Sequence, residues 1–460
     1  MRLQKNFCFD AEITDITNLG FGVARHGGEV VFVSGAVPGD QVSVKVIKVA
    51  SSYAVGRVEK YIRMSPVRVG GRCHIDGCRS CAYKALSYGY ELGLKRELVV
   101  SAFRKCGLGE VEIGEVVGSP TEVGYRNKAQ YPVARSADGG YVIGFYAPKS
   151  HRVTEAAECP LAPTVFAEIL DTCRAFFEKY GISVYDEESG KGLLRHIYLR
   201  RGEVSGEVLL TLVVNGGSLP HGEELVREVT SRHPEVVGIL LNENCADTNV
   251  VLGERYTALF GRDYIFDTLA GVRLKITAPS FYQVNHGATE LLYAKARELA
   301  ALEEGDLLLD LYCGAGSIGL SMAEDCREVI GIEIVESAVE CARFNAAENG
   351  IGNASFYSGD AADTERLLER AERARGAAIR PDVIILDPPR GGSDERLLRH
   401  IATLAPKRIV YISCNPATLA RDVAILAPLG YAAGKVTPFD LFPATGHVES
   451  VVCLTRKENV

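Results

Sequence analysis

The sequence predicts a multidomain α/β protein with an N-terminal β-barrel, an α/β middle domain and a C-terminal sheet of the doubly wound type. Short strand-like runs separated by Gly, Pro and Asp fill residues 6–61, which is typical of a small barrel. Helix-like and strand-like stretches alternate over residues 160–280. An apolar strand near residue 307 then runs into a glycine-rich loop. We therefore expect domains at 1–61, 62–279 and 280–460.

Composition and charge exclude several classes of protein. The 460 residues are 47% hydrophobic and 24% charged, which is ordinary for a folded chain. No apolar run reaches the roughly 18–20 residues of a membrane span, and the first residues lack the hydrophobic core of a secretion signal. We therefore expect a cytoplasmic protein with no membrane partner. The net charge of −8 argues against indiscriminate coating of nucleic acid, although local basic patches could still contact RNA phosphates.

The barrel region carries two motifs, Asn18–Arg25 and Val30–Asp40. Through these motifs the sequence resembles a TRAM domain, an OB-like module that binds RNA. A barrel that serves only as a scaffold is the alternative. A basic stretch follows from Arg57 to Arg72, and it either is a solvated face or extends an RNA-binding surface.

Thirteen cysteines are spread over the chain, an odd total that does not indicate a disulfide framework. Cys73, Cys78 and Cys81 form a C-x4-C-x2-C cluster, and a fourth candidate, Cys159, precedes a proline. Three thiolates this close in sequence repel one another unless a metal holds them. Four cysteines suit an iron–sulfur cluster or tetrahedral zinc, and unligated core thiols are the remaining possibility.

A glycine-rich motif opens the C-terminal domain. Leu307–Gly319 is an apolar strand that runs into G-x-G-x-x-G, and Glu333 ends the next strand, where a carboxylate can accept hydrogen bonds from ribose hydroxyls. This pattern alone fits NAD as well as S-adenosyl-methionine. The motif's late position in the chain, Asp310 before the glycines, and Asp387-Pro-Pro-Arg390 at the end of the fourth strand favour S-adenosyl-methionine. Arg390 stands where amino-group methyltransferases usually have an aromatic residue, which makes an amino nitrogen a less suitable target.

Cys414 directly follows the apolar run Arg408–Ile412, the pattern of a buried parallel strand that ends at the carboxyl edge of its sheet. A structural core thiol is the alternative interpretation. Glu449 stands at the start of the final strand, so a thiol and a carboxylate are expected at one edge. Uracil C5 becomes nucleophilic once a thiolate adds to C6, and a base must later remove the C5 proton. Such covalent catalysis needs one cysteine and one nearby base.

In these motifs the sequence resembles the RNA uracil-C5 methyltransferases of the TrmA/RumA family, in the branch that carries TRAM and a [4Fe-4S] cluster. The resemblance implies that Cys414 is the nucleophile and Glu449 the base, with Asp387 and Arg390 facing the substrate base. Its implied cofactor residues are Gln283, Tyr312, Gly314, Glu333, Asp360 and Asp387, and its implied cluster ligands are Cys73, Cys78, Cys81 and Cys159. The family usually has five residues between its first two cluster cysteines, whereas this chain has four. The spacing found here also occurs in plant-type [2Fe–2S] sites.

Three hypotheses follow from these motifs. The first is an enzyme that uses S-adenosyl-methionine to methylate C5 of a uridine flipped out of RNA, with 23S ribosomal RNA as the expected target and the transfer-RNA T-loop as the alternative. The second is an RNA-binding assembly factor that keeps the fold without the chemistry. The third is an iron–sulfur redox enzyme or radical methylase. We favour the first and expect a monomer that binds RNA but not DNA.

Overall fold

The computed structural model describes residues 3–457 with the exception of residues 71, 76, 79, 149 and 377. Its N-terminal part is a six-stranded sheet with the order β1-β5-β6-β4-β3-β2, antiparallel except for the β4–β6 pair. Buried and partly exposed residues alternate along β5, so its valines line the barrel core as a two-residue period requires. The strands are β1 (Cys8–Glu12), β2 (Asp15–Ile16), β3 (Phe21–His26), β4 (Glu29–Ser34), β5 (Gln41–Val49) and β6 (Tyr53–Arg63).

Helix α1 (Tyr88–Lys105) connects the barrel to the rest of the molecule. The sequence pattern predicts a helix from Tyr83 to Arg104, and this start is wrong because the residues before Tyr88 make other backbone hydrogen bonds. The Tyr83 amide donates to the carbonyl of Ala444 (2.9 Å), and the Ser87 amide donates to the carbonyl of Val67 (2.8 Å). The chain before Tyr88 is thus committed to tertiary contacts rather than to the helix.

A buried ion network fixes α1 against a loop near the C-terminus. The Lys95 Nζ donates to Glu91 (2.7 Å) and to Asp440 (2.6 Å), and all three side chains are fully buried. The Glu91 carboxylate also accepts from the backbone amide of Ala444 (2.7 Å). Because removing one partner of a buried ion pair leaves an uncompensated charge, this network strongly holds residues 440–448, which we term the C-terminal loop.

The middle domain is built on a seven-stranded sheet with the order β13-β12-β11-β10-β7-β8-β9. Helices α2 and α3 cover one face with a fully apolar core that includes Phe166, Phe176 and Leu225. The elements are β7 (Lys128–Arg135), β8 (Tyr141–Tyr146), β9 (Val153–Glu155), α2 (Thr164–Tyr180), β10 (Leu194–Arg201), β11 (Val208–Val214), α3 (Gly222–Arg232), β12 (Val236–Glu243) and β13 (Arg255–Gly261). A two-stranded hairpin follows, β14 (Tyr264–Leu269) and β15 (Val272–Thr277).

The C-terminal domain contains a mainly parallel sheet with the strand order β18-β17-β16-β19-β20-β23-β21. The order reverses between β16 and β19, which creates the crevice where open α/β sheets bind ligands. The elements are α4 (His286–Ala300), β16 (Leu307–Leu311), α5 (Ser317–Ser321), β17 (Glu328–Glu333), α6 (Glu336–Glu348), β18 (Ala354–Ser358), α7 (Thr364–Arg375), β19 (Val383–Leu386), α8 (Glu395–Leu404), β20 (Arg408–Ser413), α9 (Pro416–Leu426), β21 (Tyr431–Ala433), β22 (Thr437–Phe439) and β23 (Glu449–Arg456). Across the described part of the chain, no helix has the length and apolar character needed to cross a membrane.

Candidate active site

A cavity of about 680 Å³ opens at the carboxyl ends of β16, β17, β19 and β20. It brings together every residue that the sequence motifs assigned to catalysis or cofactor binding, although these residues span more than 160 positions of the chain. The predicted residues that line it are Gln283, Tyr312, Gly314, Glu333, Asp360, Asp387, Arg390, Cys414 and Glu449.

The glycine-rich loop is held by two carboxylates from neighbouring strands. Glu333, at the end of β17, accepts hydrogen bonds from the amides of Gly314 (3.1 Å) and Val335 (2.9 Å). Asp310, fully buried in β16, accepts from the amide of Gly319 (2.9 Å) through one oxygen, and the other oxygen has no partner among the described residues. Burial raises the pKa of Asp310 to about 7. The two carboxylates therefore fix the loop, and of the two only Glu333 lines the cavity.

Tyr312 reaches the cavity through an unusual backbone conformation. Its φ of 65° lies in the left-handed region, which a non-glycine residue rarely adopts and which costs roughly 1–3 kcal/mol. Such conformations are retained where the surrounding structure requires a particular side-chain position. The turn after β16 thus directs the tyrosine ring to the cavity wall.

Cys414 and Glu449 lie beside each other across two adjacent strands. The antiparallel pairing of β20 with β23 ends with Ser413 opposite Ser450. Continuing this register by one residue sets Cys414 opposite Glu449, which corresponds to a Cα separation of roughly 5 Å. The thiol and the carboxylate therefore meet at the carboxyl edge of the sheet, although 34 residues separate them in the chain.

Burial strongly perturbs the ionisable groups around this pair. The pKa of Glu449 is raised to about 8 by burial and by the nearby Asp387, with Arg390 acting in the opposite direction. Burial alone raises the pKa of Asp387 to about 7. The pKa of Cys414 rises to about 11 through burial, Glu449 and Asp387, and Arg390 again opposes the shift. Two carboxyls that titrate near neutrality beside a thiol can exchange protons with a reacting group at neutral pH.

Asn415 ties the thiol to the loop that carries Arg390. Its side-chain Nδ2 donates to the backbone carbonyl oxygen of Arg390 (3.0 Å). Its side-chain Oδ1 caps α9 by accepting from the backbone amide of Ala417 (3.1 Å). The strand end, the start of α9 and the Asp387-Pro-Pro-Arg390 turn are thereby fixed relative to one another. Arg390 is held where its charge favours the thiolate of Cys414.

Sequence reasoning missed several residues that line the cavity. Lys128 enters it from β7 of the middle domain, and Phe281 and Phe442 line it from two loops. Tyr293 reaches it from α4, with its hydroxyl 2.9 Å from Ser317 Oγ. Local patterns could assign Lys128 to a strand with interleaved aromatic and basic residues, but no local pattern places that strand at a cavity of another domain.

The four clustered cysteines share a second cavity of about 290 Å³, which Cys73, Cys78, Cys81 and Cys159 all line. Burial raises the pKa of Cys81 to about 12, and the other three thiols add to the shift. The donor chemistry of four neighbouring thiols suits a soft metal. However, within the described residues no group of three or more His, Cys, Asp or Glu side chains is arranged so that it could hold a metal ion. The described residues therefore do not show an iron–sulfur cluster, which stays a prediction.

Comparison with known proteins identifies the family. The family model for tRNA (uracil-5-)-methyltransferase matches residues 244–457, and the TRAM domain model matches residues 8–58. The predicted TRAM domain is thereby confirmed. Two relatives are each described as an uncharacterized RNA methyltransferase. The Clostridium tetani protein is 39% identical over 98% of this chain and 97% of its own length. The Bacillus cereus protein is 38% identical over 99% of this chain and 98% of its own length.

A solved structure is similar over nearly the whole length. The tRNA (uracil-54, C5)-methyltransferase of Pyrococcus abyssi, in complex with S-adenosyl-L-homocysteine, has a TM-score of 0.78 and 30% sequence identity, covering 97% of this chain and 99% of that one. The likeness confirms the predicted multidomain α/β architecture. The chain therefore belongs to the tRNA (uracil-5-)-methyltransferase family and is an RNA methyltransferase.

Proposed function

We propose that this protein methylates C5 of a uridine in RNA by covalent catalysis, with Cys414 as the nucleophile and Glu449 as the base. One observation carries the proposal, the position of Cys414 opposite Glu449 in a single cavity that also contains the glycine-rich loop. Covalent methylation of uracil needs a thiol and a base within reach of the same ring, with a methyl donor beside them.

S-adenosyl-methionine, when bound, supplies an electrophilic methyl group on a sulfonium centre. The residues proposed to hold it are Gln283, Tyr312, Gly314, Glu333, Asp360 and Asp387. Their chemistry fits this group, because Glu333 is positioned by backbone amides at the cavity wall, where it can accept from ribose hydroxyls. Bound S-adenosyl-L-homocysteine in the Pyrococcus abyssi protein supports S-adenosyl-methionine as the methyl donor.

The proposed reaction proceeds through a covalent bond between the sulfur of Cys414 and C6 of the uracil ring. The thiolate of Cys414 adds to C6, and the electron pair of the C5–C6 double bond moves toward the C4 carbonyl to give an enolate. C5 would then form a bond to the methyl group of the donor as the methyl–sulfur bond breaks, which would leave S-adenosyl-L-homocysteine as the neutral leaving group and restore the C4 carbonyl. Glu449 accepts the C5 proton, the C5–C6 double bond forms again, and the C6–S bond breaks to release Cys414 as a thiolate. Asp387 and Arg390 face the ring and modulate the charge of the thiol.

Replacing Cys414 tests this proposal directly. We expect Cys414→Ala to abolish both the methylation of RNA and the covalent adduct with RNA that contains 5-fluorouridine. Cys453→Ala is a matched control, because Cys453 lies on the neighbouring strand β23 outside the cavity and should leave both readouts unchanged. Continued methylation by Cys414→Ala would contradict the nucleophile assignment. A wild-type protein that binds RNA without methylating it would instead favour the assembly factor.

The RNA target is proposed from resemblance. The TrmA/RumA branch with TRAM suggests 23S ribosomal RNA, whereas the similarity to a tRNA (uracil-54, C5)-methyltransferase favours the transfer-RNA T-loop. Mapping of 5-methyluridine in total RNA with and without the protein distinguishes the two. A 5-methyluridine that is missing only from ribosomal RNA when the protein is absent would support 23S ribosomal RNA. A 5-methyluridine that is missing from transfer RNA would support the T-loop.

We further propose that Cys73, Cys78, Cys81 and Cys159 hold a [4Fe-4S] cluster, as the family resemblance implies. Their common cavity supports this assignment. A cluster would stabilise the segment that joins the barrel to the middle domain, because it would replace repulsion among thiolates with metal–sulfur bonds. Protein purified without oxygen should contain iron and sulfide in equal amounts. A colourless preparation with stoichiometric zinc would refute this proposal.

A further inference from the structure

A third cavity, of about 530 Å³, lies in the middle domain. No described residue lines both this cavity and the candidate active site. Its walls come from the ends of β8 and β10 and from the loops beside them. The lining residues used below are Tyr146, His151, Glu187 and His196.

Aromatic rings form part of the wall. The Tyr146 ring meets His151 edge to face at 5.9 Å and meets His196 at 6.2 Å, with interplanar angles of 78° and 79°. The tyrosine is 39% exposed, so part of its ring is open to solvent. Exposed aromatic faces in RNA-binding proteins stack on unpaired bases. The shape and chemistry of the wall therefore suit a flat heteroaromatic group.

The polar groups of the cavity favour a particular kind of base. His196 is only 5% exposed, and its Nδ1 has no hydrogen-bond partner among the described residues. Burial and the nearby Arg195 lower the pKa of His196 to about 4, so the ring is neutral near pH 7. Its Nε2 lies 3.5 Å from the Tyr146 hydroxyl, and its Nδ1 remains as a single donor or acceptor. The Glu187 carboxylate can only accept hydrogen bonds when ionised; one of its oxygens lies 3.5 Å from the Arg195 guanidinium, which leaves its other oxygen to accept from a ligand. An amino group on a base ring would satisfy it.

The cavity lies on the sheet face that leads to the active site. In the antiparallel pairing of β7 with β10, Lys128 pairs with Arg200 and Pro132 pairs with His196. These two pairs are four residues apart along β7, so they point to the same face and lie roughly 13 Å apart along the strand. Since Lys128 lines the active-site cavity, a few nucleotides of an extended RNA strand would be long enough to reach from that cavity to His196.

We propose that this cavity binds a second, unstacked base of the substrate RNA, and that this base carries an exocyclic amino group, as guanine, adenine and cytosine do. The inference rests on the proposed function, because it requires an RNA strand in the active site. Because the two cavities lie at a fixed distance, only an RNA with such a base at the right spacing from the target uridine would fill both of them. It would thereby contribute to the choice of target.

Cross-linking tests where the bases lie. Full-length protein is mixed with total RNA from cells that lack it, irradiated with ultraviolet light, and digested for mass spectrometry of peptide–nucleotide adducts. We expect adducts of guanosine, adenosine or cytidine on the peptides that contain Tyr146 or His151. Adducts near Cys414 without any at these residues, or adducts of uridine alone at them, would overturn the proposal.

Kinetics with the same RNA provides the second test. Tyr146→Ala should raise the KM for RNA roughly 10-fold or more, the effect of losing one base-stacking contact, while kcat is retained. Phe260→Ala is the matched control, because Phe260 is also 39% exposed, lies on β13 of the same sheet and does not line the cavity. Equal KM values for the two variants would refute the proposal. Absence of methylation by the wild-type protein would refute the proposed function instead, and a cross-link at Tyr146 would still support the base-binding site.

Discussion

Replacing Glu449 by Gln should stabilise the ligand-free protein in alkaline solution while it blocks turnover. In the wild-type protein, Glu449 is buried beside Asp387 and holds its proton up to about pH 8, whereas the same side chain in the unfolded chain releases it near pH 4.5. Between these values the folded protein binds more protons, so the free energy of unfolding falls as pH rises through this window. Gln carries no charge at any pH and removes this loss.

The size of this stabilisation follows from how far burial raises the pKa of Glu449. Raising the pKa of a carboxyl from 4.5 to about 8 disfavours its ionised form by about 5 kcal/mol. Asp387 titrates in the same range and contributes to the shift, so part of this free energy belongs to the pair. We therefore expect Glu449→Gln to gain roughly 3–5 kcal/mol at about pH 9 and almost nothing at about pH 5. For a domain of this size the gain corresponds to a rise in Tm on the order of 10 °C.

Thermal unfolding followed by circular dichroism at the two pH values measures the effect. Glu340→Gln is the control, because Glu340 is exposed on α6 and outside the cavity. A difference in Tm between Glu449→Gln and wild type that is the same at both pH values would refute the electrostatic reasoning. On RNA that contains the target uridine, the same variant should accumulate a covalent protein–RNA adduct, and normal release of product would contradict the role of Glu449 as base.

Three further predictions concern the groups around the site. Lys95→Met should destabilise the protein by roughly 3–5 kcal/mol, seen as a lower Tm, because Glu91 and Asp440 would remain buried without their cation; an unchanged Tm would contradict this. Methyl transfer at saturating substrate should accelerate as pH rises through about 8, because Glu449 must be ionised to accept the proton, and a flat pH–rate profile would contradict the assignment. Asn415→Ala should lower kcat more than it raises the KM for RNA, since it releases Arg390 from the thiol, and the reverse pattern in steady-state kinetics would argue against this positioning role.

Local patterns in the sequence predict much of the fold. The alternating runs before residue 61 predicted the β-rich TRAM domain, and the apolar strand before the glycine loop predicted the methyltransferase fold, both of which are confirmed. The position of these elements is determined by the local pattern of apolar, glycine and proline residues, which can be read from the sequence. The hairpin of β14 and β15 was not predicted, and the start of α1 was predicted too early, because tertiary contacts such as the Tyr83 amide to Ala444 decide such boundaries.

The candidate site was predicted in part. Motif order indicated that Cys414, Asp387 and the glycine loop would share one sheet edge, and the structure brings them together in one cavity. Lys128 and Tyr293 could not be found in this way, because their arrival depends on packing between domains. The catalytic roles of Cys414 and Glu449 stay predictions. The cysteine spacing indicated a common location for the four thiols, but it could not determine how their sulfur atoms are arranged around a metal.

The C-terminal loop connects RNA binding to the reacting groups. It carries His447 just before Glu449, and its Gly446 packs directly against the backbone of Asn18 in the barrel, so that a Cβ at this position would collide with Asn18. The Tyr83 amide and the Glu91 carboxylate bind the same loop from the other side. A displacement of the barrel would therefore reach Glu449, the proposed base, through these contacts. Replacing the barrel with another RNA-binding module would consequently change the rate of the reaction as well as the choice of RNA.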